Sequence, residues 1–341
     1  MKHQIIYASL FTAAIGFTAC EAEKFDNIDN QPAEITVIAK AADNETSRTI
    51  FEEGKEGYSV KWDANNKETL KLLFVNVNEN GSYSNNGHYT PNENRKEVIV
   101  TPDDDSSTGT FSFTPQGKDG NLVWVIYPYE GVANDITPFY SPDKNVYIDI
   151  PTEQAGRPKM PAAAASLMFG QFNYPEGYGT DNDNIGTPLT CKFEHLAAYG
   201  KINLKSFPAG IAGRVRSIVL SVEDENANLT GEKYIYNVEQ KTISAGTFKL
   251  PNNGTSETEP KSYVKVSYGD DYKSGDAIMF AVAPSGDEGY KSLKLTVTFF
   301  NGSTYEKTLD ASNNPVTFKK GLVSVLNISL ADAQPPVVAT E

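Results

Sequence analysis

Short apolar segments with an alternating pattern recur along most of the chain, and this recurrence constrains the fold more than any other feature. Residues 70–77 and 291–299 are typical of these segments, and turn signals such as Asn80-Gly81 and Asn301-Gly302 separate them. Alternation of apolar and polar side chains indicates half-buried strands, and no segment longer than a turn or two has the period of a helix. The chain is therefore predicted to be all-β, with its strands arranged in β-sandwiches.

The predicted strands fall into two groups, separated by residues 155–190, which are rich in Pro, Gly and Asn. This stretch predicts a long connection and a domain boundary. Residues 122–127 are continuously apolar and predict a central strand that is covered on both faces. The first group comprises 35–39, 58–62, 70–77, 97–100, 110–113, 122–127 and 146–150. The second group comprises 192–204, 215–223, 233–238, 262–268, 277–283, 291–299, 304–309 and 322–330.

The start of the chain predicts export. Residues 1–19 have a short basic start followed by an uncharged apolar run, which is the layout of a secretory signal peptide. Small residues directly before Cys20 resemble a lipoprotein cleavage box, which implies cleavage between Ala19 and Cys20 and lipid, such as palmitate, on the cysteine. The alternative is an ordinary signal peptide that ends beside a cysteine. We predict an outer membrane lipoprotein at the cell surface, with residues 20–34 as its tether.

The charge of the chain argues against nucleic acid binding, and its cysteine content argues against a disulfide-bonded fold. The chain has 44 acidic against 30 basic residues, a formal net charge of −14, and so offers nothing to offset phosphate repulsion in nucleic acid binding. Its two cysteines are Cys20 and Cys191. Because lipid would occupy Cys20, we expect no disulfide. Cys191 lies in an alternating run, which favours a small buried residue over a catalytic thiol.

No residue pattern indicates catalysis. After the signal peptide only His88 and His195 remain, and neither belongs to a hydrolase or zinc motif. We expect His88 in a loop and His195 in a strand with a local partner. The loop at 181–186 begins like a calcium loop but lacks an oxygen ligand and the closing Glu, so a plain acidic loop is favoured, as it is at 103–105. We predict no enzyme activity, no metal and no cofactor, although no pattern rules out a carboxylate pair for glycoside hydrolysis.

Four segments resemble motifs of the fimbrillin family, the subunits of type V pili in Bacteroidales. The first is Ser-Arg-Thr-Ile-Phe followed by Val-Lys-Trp-Asp, within 47–63, and the second is Trp-Val-Ile-Tyr-Pro-Tyr at 124–129. The third is Phe-Glu-His-Leu-Ala-Ala at 193–198, and the fourth is the closing strand with its glycine at 319–330. They occur in family order. The chain departs from the family at 65–67, where Asn-Asn-Lys replaces the Gly-Asp of many relatives.

The resemblance implies two transthyretin-like β-sandwich domains in tandem. On this chain the domains correspond to residues 35–185 and 186–332, followed by a tail at 333–341. It also implies a fimbrium as the location. The implied partners are other fimbrial subunits, the outer membrane through the lipid anchor, and a host or bacterial surface receptor.

The resemblance further implies a cut between Arg48 and Thr49, which removes the strand at 35–39. Loss of a strand leaves unpaired backbone groups and an open apolar groove, and both are costly in water. A strand from a neighbouring subunit, here residues 322–330 with the tail to Val338, is implied to fill the groove. Because head-to-tail donation does not close on itself, it produces a filament. The alternative is that Arg48 is an ordinary surface residue.

The predicted function is a structural subunit of a type V fimbria that is exported as a lipoprotein, polymerises by donor-strand exchange and supports cell adhesion. One alternative is a fimbrial tip adhesin, or an anchor lipoprotein that keeps the lipid on Cys20 and escapes cutting at Arg48. A second alternative is a surface glycan-binding lipoprotein. A third is a secreted hydrolase, which the shortage of histidines and of nucleophile motifs disfavours.

Overall fold

Strands make up the regular structure, which confirms the predicted all-β class. The computed structural model describes residues 35–41, 50–54, 57–62, 68–77, 83–84, 95–104, 108–114, 122–128, 145–157, 165–174, 188–208, 211, 213–224, 227–245, 247–249, 255–257, 259–269 and 275–335. Within these ranges no helix has the length and apolar character needed to cross a membrane. The predicted signal peptide at 1–19, the tether at 20–34 and the acidic loop at 181–186 lie outside them.

The strands are numbered in chain order. The first eleven are β1 Ile35–Ala41, β2 Ile50–Gly54, β3 Gly57–Lys61, β4 Glu68–Val77, β5 Tyr83–Ser84, β6 Arg95–Pro102, β7 Thr108–Phe113, β8 Leu122–Tyr127, β9 Asn145–Ile150, β10 Glu153–Ala155 and β11 Met168–Asn173. The others are β12 Leu189–His195, β13 Ala198–Lys205, β14 Val215–Val222, β15 Thr230–Asn237, β16 Thr242–Ser244, β17 Thr247–Lys249, β18 Thr255–Glu257, β19 Glu259–Lys261, β20 Tyr263–Ser267, β21 Ile278–Val282, β22 Ser292–Phe299, β23 Thr304–Asp310 and β24 Val323–Ser329.

Seven strands close into a ring in the order β4-β6-β7-β1-β12-β11-β8, because β8 also pairs with β4. The short β5 pairs with β4 beyond the stretch that faces β6. Neighbours in the ring are antiparallel, except that β1 runs parallel to β12. Closure of a sheet removes its free edges, so each strand of the ring has a partner on both sides.

The inner side chains of the ring strands, together with Trp62 and Tyr174, form an apolar cluster, termed the ring core. Its members are Ile35, Val37, Ala39, Trp62, Leu70, Leu72, Phe74, Val98, Val100, Phe111, Phe113, Val123, Val125, Tyr127, Met168, Phe172, Tyr174, Cys191 and Phe193. On its outer face β8 carries Trp124 and Ile126 into a second cluster. All residues of β8 are buried, which confirms the prediction of a strand covered on both faces.

Two further clusters complete the interior. The middle core is shared by β4, β8 and β11 of the ring with β9, β15, β13 and β21. The C-terminal core is shared by the three-stranded sheet β21-β13-β24 and the five-stranded sheet β10-β20-β14-β22-β23. β13 and β21 face both clusters, because Tyr199 and Met279 lie in the middle core while Ile202 and Phe280 lie in the C-terminal core.

The prediction of a long connection over 155–190 is wrong for residues 168–173, which form β11 of the ring. The sequence Met-Phe-Gly-Gln-Phe-Asn interrupts its apolar residues with a glycine, and so weakens the signal of a strand. Packing requires that glycine, because a Cβ at Gly170 would lie 2.6 Å from the sulfur of Cys191.

The single strand predicted over 192–204 is two strands, β12 and β13, which belong to different sheets. Leu196 and Ala197 lie between them and are buried. The amide of Leu196 donates to the carbonyl of Leu167 at 2.9 Å, and the amide of Gly321 donates to the carbonyl of Ala197 at 3.0 Å. The amide of Leu196 and the carbonyl of Ala197 are therefore satisfied by segments outside either strand.

Strand pairing crosses the predicted boundary between 35–185 and 186–332. β9 pairs with β15 and β10 pairs with β20, although β9 and β10 belong to the first half. Conversely, β12 belongs to the second half but pairs with β1 and β11. The division into two sandwich domains stays a prediction.

Candidate functional site

The ring holds β1 between two strands that are distant from it in sequence. β1 pairs antiparallel with β7, with Val37 opposite Phe111, and parallel with β12, with Ala39 opposite Cys191. The strand predicted at 35–39 is therefore confirmed, and both of its edges carry backbone pairs. The gap in the ring that β1 fills, between β7 and β12, is termed the slot.

Alternate side chains of β1 point into the ring core. Ile35, Val37 and Ala39 have no exposed surface, whereas Thr36 and Lys40 on the outer face are exposed. Complete burial of an Ile or Val side chain contributes about 1.5–3 kcal/mol. β1 is thus part of the core that it covers.

Removal of β1 would expose two kinds of surface at once. The backbone N–H and C=O groups of β7 and β12 that face the slot would lose their partners, and the ring core would open to water. Both changes are unfavourable. A slot without β1 therefore favours any extended segment that supplies backbone pairs and apolar side chains at alternate positions.

Small residues line the slot next to Ala39. Ala39 and the two residues opposite it, Gly109 and Cys191, are termed the level of Ala39. Ala39 lies opposite Gly109 on β7 and opposite Cys191 on β12. A Cβ added at Gly109 would lie 2.6 Å from the Cγ1 of Val100, and one at Gly170 would lie 2.6 Å from the sulfur of Cys191. The walls at this level are packed against their own neighbours and leave no space for an added carbon atom.

A buried tryptophan closes the ring core beside this level. Trp62 is 1% exposed, and its Cδ1 would lie 3.2 Å from a Cβ added at Gly109. Its ring makes edge-to-face contacts with Tyr127 at 5.7 Å and with Phe193 at 5.8 Å between centroids. Such pairs contribute about 0.5–1.5 kcal/mol beyond burial of their area. Trp62 is therefore held on several sides.

The cysteine and the histidine of β12 are both buried. Burial raises the pKa of the Cys191 thiol above its ordinary value, so the thiol is protonated and unreactive. Burial lowers the pKa of His195 to about 3, and its Nδ1 lies 2.8 Å from the hydroxyl oxygen of Tyr199. These findings confirm the predictions that Cys191 is a small buried residue and that His195 is a strand residue with a local partner.

The predicted processing sites lie outside the described residues. This applies to the lipidation site Cys20, to signal cleavage between Ala19 and Cys20, to the cut between Arg48 and Thr49, and to His88. In the part of the chain that the structure describes, no group of three or more His, Cys, Asp or Glu side chains is placed to hold a metal ion.

Sequence analysis missed the residues that form the walls of the slot. Gly109 lies in a strand between two threonines, and a glycine inside a strand is a signal of close approach by other groups. For Cys191 the sequence indicated burial but offered no sign of its neighbour, Ala39.

The predicted donor stretch forms β24, an edge strand that pairs parallel with β13. The first part of the predicted stretch 322–330 is exposed, with Leu322 at 49% and Val325 at 48%. Its last part is not, because Ile328 and Leu330 are buried in the C-terminal core. Departure of the whole strand would therefore open the core of its own chain.

A polar network joins β12 to the segment that precedes β24. The hydroxyl of Tyr236 donates to Oε1 of Glu194 at 2.6 Å, and Nζ of Lys320 lies 3.2 Å from Oε2 of Glu194. Nζ of Lys241 lies 3.6 Å from Oε1 of Glu194. The amine of Lys320 also donates to the carbonyl of Lys241 at 3.1 Å. Glu194 thus connects β12 of the ring to this segment.

No family model matches the chain, and no curated protein matches it. Solved structures do. One is a Bacteroides ovatus protein provisionally assigned to cell adhesion, with a TM-score of 0.48 and 11% identity over 91% of this chain and 97% of the other. A fimbrial assembly protein of Parabacteroides distasonis has a TM-score of 0.40 and 13% identity over 88% of this chain and 92% of the other.

The tip fimbrial protein of Porphyromonas gingivalis, with a C-terminal truncation, has a TM-score of 0.34 and 14% identity over 81% of each chain. These solved structures are cell adhesion and fimbrial proteins, the class that the sequence motifs resemble.

Proposed function

We propose that the protein is a structural subunit of a type V fimbria, exported as a lipoprotein and assembled by donor-strand exchange, and that it supports cell adhesion. The proposal includes two transthyretin-like sandwich domains and a cut between Arg48 and Thr49. The observation that carries it is the position of β1, which is paired on both edges and buries its inner side chains in the ring core.

The energetics of β1 favour exchange over simple loss. A chain that loses β1 has two unpaired strand edges and an open core, so it gains stability from any copy that supplies a strand. The donated segment belongs to a different copy, whose own slot is free for the next one. Repetition of this head-to-tail contact produces an open filament.

The C-terminal tail supplies a suitable donor. After Gln334 the chain continues with Pro-Pro-Val-Val-Ala, in which Val337 and Ala339 have the same identity and spacing as Val37 and Ala39. The two prolines keep the tail extended but have no N–H to donate, so only the residues after them can pair with both sides of the slot. Since Ile328 and Leu330 are buried in their own core, the tail can be donated more easily than the second half of β24.

The test is to treat the recombinant chain without its signal peptide with an Arg-specific protease and to look for filaments by electron microscopy. The matched control is Arg48→Ala, which removes the proposed cleavage site and leaves β1 unchanged. We expect a new N-terminus at Thr49 and filaments only from the parent chain. Cleavage at that bond with no filament at any concentration would count against assembly by strand exchange.

Lipidation is tested separately in cells. A chain with Cys20→Ala should lose incorporation of labelled palmitate and its association with the outer membrane. Mass spectrometry of the surface form then distinguishes the roles. A mature start at Thr49 indicates a polymerising subunit, whereas an uncut chain with lipid on Cys20 indicates an anchor.

A further inference from the structure

We infer that the level of Ala39 selects the segment that enters the slot. The slot accepts an extended strand, parallel to β12, that carries apolar side chains at its first two inner positions and an alanine at the third. This inference rests on the proposed function, because it assumes that a segment other than the resident β1 can occupy the slot. The pattern of that segment is apolar-x-Val-x-Ala, and it is enforced by Gly109 and Cys191 with the side chains packed over them.

The first support is the change in neighbours along β1. Val37 lies opposite Phe111 and Leu189, whose side chains extend beyond the backbone. Ala39 lies opposite Gly109 and Cys191, and the methyl group of Ala39 has no exposed surface. Small opposite residues leave room for a larger side chain only where no other atoms fill the space, so the packing around Gly109 and Cys191 decides which size fits.

The second support is that the walls at this level cannot retreat. Val100 and Trp62 pack over Gly109, where an added Cβ would lie 2.6 Å and 3.2 Å from them. On the other side, Cys191 is packed against Gly170, with only 2.6 Å between its sulfur and an added Cβ. A larger side chain at the third inner position thus meets packed atoms on both sides.

This level also sets the register. A strand that slips by two residues keeps its inner face inward but moves another side chain to the level of Ala39. If β1 slipped forward by two residues, Val37 would occupy that level. The packed walls disfavour the slipped form, so a segment with one alanine in the right place has one favoured register.

The experiment uses the chain cut after Arg48, with the released segment removed in urea and the chain returned to buffer. The probes are synthetic peptides of residues 33–42, and the readout is protection of the Cys191 thiol from a disulfide reagent. The parent peptide is compared with Ala39→Leu, and the matched control is Lys40→Leu, which places the same leucine on the outer face. A second chain with Val100→Ala widens the wall beside Gly109.

We expect the parent and Lys40→Leu peptides to protect Cys191 equally. The concentration that gives half-maximal protection should be at least about tenfold higher for the Ala39→Leu peptide than for the parent, a ratio equivalent to about 1.4 kcal/mol. In the Val100→Ala chain this ratio should fall by about threefold, because the cavity left by the two lost methyl groups accommodates part of the leucine. Equal protection by Ala39→Leu and the parent peptide in the unaltered chain would overturn the inference and leave strand exchange intact. If no peptide protects a reactive Cys191, the proposed function fails with it.

Discussion

The side-chain amide of Gln154 makes the pair of hydrogen bonds to Ala281 that a neighbouring strand would make. Nε2 of Gln154 donates to the carbonyl oxygen of Ala281 at 2.7 Å, and the amide of Ala281 donates to Oε1 at 2.9 Å. Nε2 donates a further bond to the carbonyl of Pro151 at 2.9 Å. Gln154 belongs to β10 of the five-stranded sheet, whereas Ala281 lies on β21 of the three-stranded sheet, so one buried amide links the two sheets.

Replacement of this amide should destabilise the fold strongly. In Gln154→Leu the N–H and C=O of Ala281 lose their partner while they stay buried, and each unsatisfied group costs about 1–3 kcal/mol. We expect the free energy of unfolding in urea to fall by roughly 2–4 kcal/mol. The same substitution at Gln171, which is exposed on β11, is the control and should change it by less than about 0.5 kcal/mol. Equal effects at the two positions would contradict this account.

The ion pair between Glu194 and Lys320 should contribute more than an exposed pair. Both side chains are about three-quarters buried, with 25% and 27% exposed. A double-mutant cycle with Glu194→Gln and Lys320→Met should give a coupling free energy of about 1 kcal/mol. The control cycle is Glu153 with Lys265, whose oxygen and nitrogen are 2.9 Å apart but whose side chains are 72% and 37% exposed. Its coupling should be close to zero, and a larger value there than at Glu194 would refute the prediction.

Much of the fold follows from local pattern, as β22 illustrates. Its residues Ser292–Phe299 alternate strictly between half-buried and buried, and alternation predicted this strand within one residue at its start. Pairing is not encoded in the same way. β1 and β12 are parallel neighbours although about half of the chain separates them, and closure of the ring depends on all seven strands together. A strand's own residues do not specify which distant edge it joins.

The candidate site was predictable only in part, because local alternation reveals a strand but not its distant neighbours. The strand at 35–39 was evident from its alternating residues, but the small-residue level around Ala39 arises only when Gly109 and Cys191 are brought beside it. Gln154 gave no signal, because a single polar residue beside a predicted connection resembles any exposed residue. Its role depends on the distant peptide groups of Ala281, and so appears only in the folded chain.

Acid should destabilise the protein through His195. Burial lowers its pKa from 6.5 to about 3 in the folded chain, so between these values the unfolded chain binds a proton that the folded chain does not. The contribution of neutral His195 to the free energy of unfolding is therefore fully present above pH 6.5. It decreases as the pH falls, by up to about 1.4 kcal/mol per pH unit. His195→Gln keeps a hydrogen-bonding group near Tyr199 but cannot titrate. We expect the free energy of unfolding of this variant, measured in urea, to lack that part of the pH dependence. If the free energy changed equally with pH in the parent and the variant between pH 6 and 4, the burial argument would be wrong.

The close approach of Gly170 and Cys191 predicts a compensating pair of substitutions. Gly170→Ala places a methyl group 2.6 Å from the sulfur and 3.0 Å from the carbonyl oxygen of Lys192, which should cost about 1–3 kcal/mol. Cys191→Ala alone should cost about 1 kcal/mol as a small cavity. Together they exchange the sulfur for the methyl group, so urea unfolding should show less destabilisation than the sum of the single variants, by about 1 kcal/mol. The carbonyl of Lys192 still limits the recovery. Additive effects would mean that Cys191 does not form a fixed wall of the slot.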